Sequence, residues 1–132
     1  MKTHENAVIP KPATPGSIGF DVQAIHTHTI QPNSIARIRT GLSTALPSGM
    51  YLRIAPRSSL ALQHITVEGG VVDGDYRGEI TVLMKNNGDK PFDIIPKDKI
   101  AQFIFESASS PHIQTVTSLP PSQRNMGGLV AP

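Results

Sequence analysis

The chain of 132 residues contains no cysteine and no tryptophan. Without thiols, a disulfide framework and a thiolate-held metal are both excluded, and a reducing compartment is tolerated. Aromatic residues make up only 5% of the chain, too few to suggest a nucleic-acid groove floored by stacking rings. Charge of one sign is scarce as well: 12 Lys and Arg stand against 10 Asp and Glu, for a formal net charge of +2. The basic residues form no long run, so the electrostatic footprint of a nucleic-acid binder is missing. No apolar stretch approaches the roughly 18 residues of a membrane span. The opening Met1-Lys2-Thr3-His4-Glu5-Asn6 lacks the apolar segment of a signal peptide. These absences predict an intracellular protein, cytoplasmic or nuclear, with neither membrane nor nucleic acid as a partner.

What is present fits one domain, long enough to bury roughly two-thirds of its unfolded surface. Hydrophobic residues make up 38% and charged residues 17%, which does not suggest disorder. The 11 Gly and 12 Pro exceed the usual share but are scattered, as punctuation between short strands. Four segments read as strands. Ser34–Thr40 and Tyr51–Ala55 alternate apolar with polar residues, and Glu79–Lys85 puts Ile80, Val82 and Met84 on one face. Ile100–Phe105 is apolar at nearly every position, as a strand buried on both faces would be. Turn clusters at Leu46–Gly49, Asn86–Asp89 and Ile95–Asp98 separate them. The pattern predicts an all-β sandwich or barrel. Only Ser58–His64 reads as helical, with Ser58 or Ser59 as its cap. The chain turns polar from Ser107, and Ser118–Arg124 reads as an extended arm. We assign residues 1–118 to the β domain and 119–132 to an arm or lid.

Four further segments carry chemistry. In Pro15–Val22, Asp21 is a carboxylate suited to Mg²⁺, which takes one or two acids plus waters and phosphate oxygens; alone, the segment is also a turn entering a strand. In Ala55–Ala61, Arg57 precedes Ser58 and Ser59 at a helix start, which is either a simple cap or a phosphate site. In Gly69–Ile80, glycines flank Asp73 and Tyr76. This is either a tight hairpin with solvated acids or a general base beside a packing ring, with a backbone edge for a flat ligand. In Lys97–Gln102, Gln102 interrupts an apolar strand and needs a partner, for which a phosphate or a water is a candidate. His26 and His28 share a strand face but have no third metal ligand nearby in sequence.

Taken in order, these segments resemble the trimeric dUTPase family, from Pro15 to about Arg124. Gly19-Phe20-Asp21 is similar to its first motif, and Arg57-Ser58-Ser59-Leu60-Ala61 to its second, with Ser59 where Gly is usual. Gly70–Gly78 is a nearly complete third motif. Asp98–Gln102 is similar to the fourth, with Lys99 where Arg is commoner. The resemblance implies a jelly-roll-like β subunit, a homotrimer with sites between subunits, and Mg²⁺-dependent splitting of dUTP into dUMP and pyrophosphate. It implies that Asp73 orients the attacking water and contacts the 3′-hydroxyl, and that Tyr76 packs under the deoxyribose. Backbone groups near Val67, Gly70, Val71, Val72 and Thr81 would read uracil. Arg57, Ser58, Ser59 and Gln102 would hold the phosphates, and Asp21 would reach Mg²⁺ through water.

The related dCTP deaminase family needs a catalytic Glu where this chain has Leu83, and a leucine cannot shuttle protons. The C-terminus departs from the family's fifth motif. Arg124 and the glycines are kept, but Leu129 stands where a stacking Phe is usual, and Val130-Ala131-Pro132 replaces Ser/Thr-rich donors. That departure motivates an alternative, a dUTPase-fold trimer with weakened or lost catalysis that binds a nucleotide or a protein.

Overall fold

The alternating segments form the longest strands of the protein. The computed structural model describes residues 1–127. Along them run β1 (Lys11–Pro12), β2 (Phe20–Gln23), β3 (His28–Ile30), β4 (Ile35–Leu42), β5 (Met50–Ala55), α1 (Ser58–Ala61), β6 (Ile65–Glu68), β7 (Val71–Val72), β8 (Ile80–Asn86), β9 (Phe92–Ile94) and β10 (Lys99–Ser107). The strands make a five-stranded sheet in the order β1-β2-β10-β5-β7, a three-stranded sheet β4-β8-β6 and the pair β3-β9. All the strand pairings are antiparallel. The expected all-β, jelly-roll-like architecture with one short helix is therefore present.

β8 shows the cause most plainly. Ile80, Val82, Met84 and Asn86 point inward, while Thr81, Leu83 and Lys85 are only half-buried. Phe103, Leu52, Ile38, Val22, Ile65 and Ile100, each at most 1% exposed, meet them in one core. Full burial of such a side chain contributes about 1.5–3 kcal/mol. Two polar residues inside the core are paired. Asn86 Nδ2 donates to the carbonyls of Ile30 (2.9 Å) and Lys90 (2.7 Å), and Thr40 Oγ1 donates to that of Ile80 (2.6 Å). β10 lies between β2 and β5; Ile100, Ala101 and Phe103 are buried while Gln102, Ile104 and Phe105 are half-buried, so its second face is only partly covered.

The helix differs from expectation in length and cap. α1 holds four residues, and hydrogen-bonded turns carry the chain on to His64, whose φ is 66°. Neither Ser58 nor Ser59 caps it. The cap position falls on the extended Arg57, which makes no side-chain cap bond. Ser58 is already the first helical residue, too late for its hydroxyl to reach the second or third amide. Residues 108–127 are exposed and carry neither strand nor helix. The tail positions Gly128 to Pro132, including Leu129, Val130 and Ala131, lie outside the described residues.

Candidate functional site

The Asp73 hairpin grows out of the β5–β7 pairing. Leu52 faces Val72 and Arg53 faces Val71, and the Ile54 amide donates to the Gly70 carbonyl at 2.7 Å. Gly70 has φ 98°, and a Cβ there would stand 2.7 Å from the Ile54 carbonyl oxygen. Only glycine meets both conditions. The turn then closes on itself, with the Tyr76 amide donating to the Asp73 carbonyl at 3.1 Å. Arg77 Nη1 donates to the Gly74 carbonyl at 2.8 Å, Ser43 Oγ to that of Gly78 at 3.1 Å, and Tyr76 Oη to that of Glu79 at 2.9 Å. The Tyr76 ring lies against Gly78, where a Cβ would come within 2.5 Å of the phenol oxygen. The hairpin thus reaches its shape with most of its carbonyls already engaged.

Between this hairpin and β8 opens a cavity of about 380 Å³. Gly70, Val71, Val72, Asp73, Tyr76 and Thr81, all expected from the sequence, line it together. Val67 does not. It sits opposite Met84 and packs against the core. Arg37, Glu68, Glu79 and Leu83 also line the cavity, and no motif marks the first two. Arg37 and Arg39 are exposed on either side of the buried Ile38. Which strand they meet is a matter of register between distant segments. Arg39 grips Glu79 through two bonds, Nε to Oε2 at 2.9 Å and Nη2 to Oε1 at 2.7 Å. These bonds hold the Glu79 carboxyl below the ordinary carboxylate range, against a smaller opposing effect of burial.

A second cluster forms where β2, β10 and the start of α1 converge. Asp21, with a side chain 13% exposed, lies 3.4 Å from Arg57 Nε and 3.5 Å from Lys99 Nζ. Its Oδ2 is buried without a hydrogen-bond partner. Gln102 pairs in register with Asp21 on one side and Ala55 on the other. Its Nε2 donates to the Pro56 carbonyl at 3.0 Å, so the protein's own backbone is one partner of the amide. A Cβ at Gly19 would meet Gln102 Oε1 at 2.0 Å; the glycine is the space in which the amide rests. Ser58 and Ser59 are exposed beside Arg57, whose Nη1 reaches the Lys99 carbonyl at 3.3 Å.

The first cluster combines an acid, a ring and a backbone edge, suited to a flat base and its sugar. The second combines two cations, two hydroxyls and a carboxylate, suited to phosphates. The two share no lining residue; β5 joins them by pairing with β7 and running on into Pro56-Arg57. Arg124 lines none of these cavities, and its Nε donates to the Gly127 carbonyl at 3.0 Å. His26 accepts from Arg39 Nη1 at 3.3 Å. Among the described residues no group of three or more metal-ligating side chains occurs.

The dUTPase family model matches residues 5–130. The chain belongs to the dUTPase family. It is 39% identical to the deoxyuridine 5′-triphosphate nucleotidohydrolase of swinepox virus over 97% of this chain and 91% of that one. It is 38% identical to the enzyme of the same name from Mus musculus, over 97% and 80%. Among solved structures, the Staphylococcus bacteriophage 80alpha dUTPase with dUPNHPP superposes with a TM-score of 0.92 at 20% identity, covering 97% and 93%. A mutant dUTPase from phage phi11 of S. aureus, described with a structural Mg(II) ion, gives 0.86 at 21% identity, covering 92% and 97%. The segment Gly70–Tyr76 of this family member forms one wall of the cavity.

Proposed function

We propose that this chain hydrolyses dUTP to dUMP and pyrophosphate, keeping uracil out of DNA and supplying dUMP for thymidylate synthesis. The observation that carries the reading is the cavity that gathers Asp73, Tyr76, Thr81 and the Gly70–Val72 edge. Main-chain donors and acceptors on that edge select uracil, because cytosine reverses the pattern at position four and leaves groups unpaired. Tyr76 forms the floor beneath the deoxyribose and leaves no room for a 2′-hydroxyl. Asp73 contacts the 3′-hydroxyl and orients a water. As the water oxygen bonds to phosphorus, Asp73 accepts its proton, and the bridge to pyrophosphate breaks. Arg57, Ser58, Ser59 and Gln102 hold the phosphates, and Arg124 closes over them from the arm. The chemistry is mainly positioning and charge neutralisation.

The two clusters lie apart within one chain, which supports a homotrimer in which one copy supplies the base and sugar pocket and a neighbour the phosphate corner. The residues present also fit Mg²⁺ of one kind. A single carboxylate cannot cage the ion, but Asp21 Oδ2, buried and without a hydrogen-bond partner, is an acceptor for water on a metal that arrives with the triphosphate. Lys99, half-exposed beside it, must swing away to admit that water. When bound, Mg²⁺ would neutralise phosphate charge. A nucleotide substrate supports a location inside the cell, in the cytoplasm or nucleus. No helix among the described residues is long and apolar enough to cross a membrane.

The test is pyrophosphate release from dUTP with Mg²⁺, set against UTP and dCTP and against Asp73→Asn. Turnover of dUTP alone is the expected result. Turnover no greater than that of Asp73→Asn would overturn the reading. Nucleotide binding without hydrolysis would instead favour the non-catalytic module, which nothing in the Asp73 hairpin supports.

A further inference from the structure

We propose that Arg39 and Glu79 act as a positioning pair that sets the height of the Tyr76 ring, and so how strictly the cavity floor rejects a 2′-hydroxyl. The inference rests on the dUTP reading above and names what fixes its sugar selectivity. Tyr76 Oη donates to the main-chain carbonyl of Glu79 at 2.9 Å. The ring therefore takes its height from where residue 79 is held. Two observations show that this residue is held from outside the hairpin. Its carboxylate accepts from Nε and Nη2 along one edge of the Arg39 guanidinium, at 2.9 and 2.7 Å, and Thr3 Oγ1 adds a third bond at 3.3 Å.

Arg39 is itself aimed. The β4–β8 register pairs Arg39 with Thr81 and then slips, so that Leu42 pairs with Ile80. Gly41, with φ 67°, stands in the slip. Such a bulge bends a strand and redirects the neighbouring side chain. Arg39 Nη1 also donates to His26 Nε2 at 3.3 Å, and the His26 ring meets His4 edge-on at 5.2 Å. The guanidinium is thus fixed on two sides. Both partners keep solvent contact, with side chains 44% and 20% exposed. A pair so placed adds little to stability. What a bidentate Arg–carboxylate contact adds is direction. A rigid fork acting on the residue that carries the ring's hydrogen bond is a device for placement.

The experiment compares the intact chain with Glu79→Gln, Arg39→Lys and the swap Arg39→Glu/Glu79→Arg. Each is tested for turnover of dUTP and UTP. Each is also made with Tyr51→Phe, which leaves Tyr76 as the only tyrosine, so that its ring signals can be read by NMR without nucleotide. We expect both single variants to lower the dUTP-over-UTP preference about threefold to tenfold, with the loss in KM more than in kcat. Tyr76 signals should shift and Tm should barely move, and the swap should recover part of the preference. Unchanged Tyr76 signals and unchanged preference in both single variants would overturn the proposal. If the unmodified chain fails to split dUTP, the reaction assigned above falls. The ring signals alone then decide whether the pair places the ring.

Discussion

The Asp73 hairpin and the Asp21 corner are built on opposite principles. The hairpin is finished by its own chain: its carbonyls take bonds from Arg77, Ser43, Tyr76 and the Tyr76 amide. The corner is a balance of charges, with one carboxylate between Arg57 and Lys99 and one of its oxygens without a hydrogen bond. A base and a sugar are rigid and nearly neutral, so a preset cavity recognises them at low entropic cost. A triphosphate brings charge and metal, and a corner held by ion pairs can exchange one partner for another. Under the proposed function, the difference teaches that recognition by shape and recognition by charge are built into separate parts of the chain.

Breaking each side should show it. The largest effect is expected from Asp73→Asn, which keeps the shape of the hairpin and removes its base. Turnover should fall about 10²–10⁴-fold, with Tm unchanged in thermal unfolding. Gly70→Ala should come next, because it breaks the hairpin itself. The added methyl meets the Ile54 carbonyl at 2.7 Å in a backbone of φ 98°, so we expect a loss of about 1–3 kcal/mol in denaturant unfolding, together with weaker dUMP binding. Gly19→Ala should act on the corner alone. It displaces Gln102 Oε1 and should weaken pyrophosphate binding several-fold in calorimetry while sparing the affinity for deoxyuridine.

The smallest effect concerns acid. Glu79 is held below its ordinary range by Arg39, and Glu106 by Tyr51 and then Arg53. Depressed carboxylates stabilise the fold above their unfolded pKa, about 4.3, and that contribution is lost as pH falls through the lower folded values. Urea titrations from pH 6 downward should therefore lose stability on the acid side. Glu79→Gln and Glu106→Gln should each make that loss shallower, by a small amount because both groups keep solvent contact.

The fold was legible where alternation had room to repeat. β4, β5, β8 and β10 run six to nine residues and matched the expected segments within about two residues at each end. β1, β7 and β9 have two or three residues, too few for any period to show; their pairing is decided by neighbours. At the site, residues close in sequence were found together, as Gly70 to Tyr76 show. Pairs made by register were not. Arg39 and Glu79 stand 40 residues apart, and nothing local announces their meeting. Gln102 interrupts an apolar strand, and the Pro56 carbonyl that takes its amide N–H is brought there only by the β5–β10 pairing.

The strand β5 is also a spacer. It is stitched to the hairpin at Leu52, Arg53 and Ile54 and delivers Arg57 two residues after its end. An extended strand is stiff along its axis, so within one chain the span from sugar floor to phosphate arginine is fixed. In a ring where each site draws these two halves from different copies, that fixed span no longer measures one site. It measures the distance between neighbouring sites, and a push felt at one would arrive at the next.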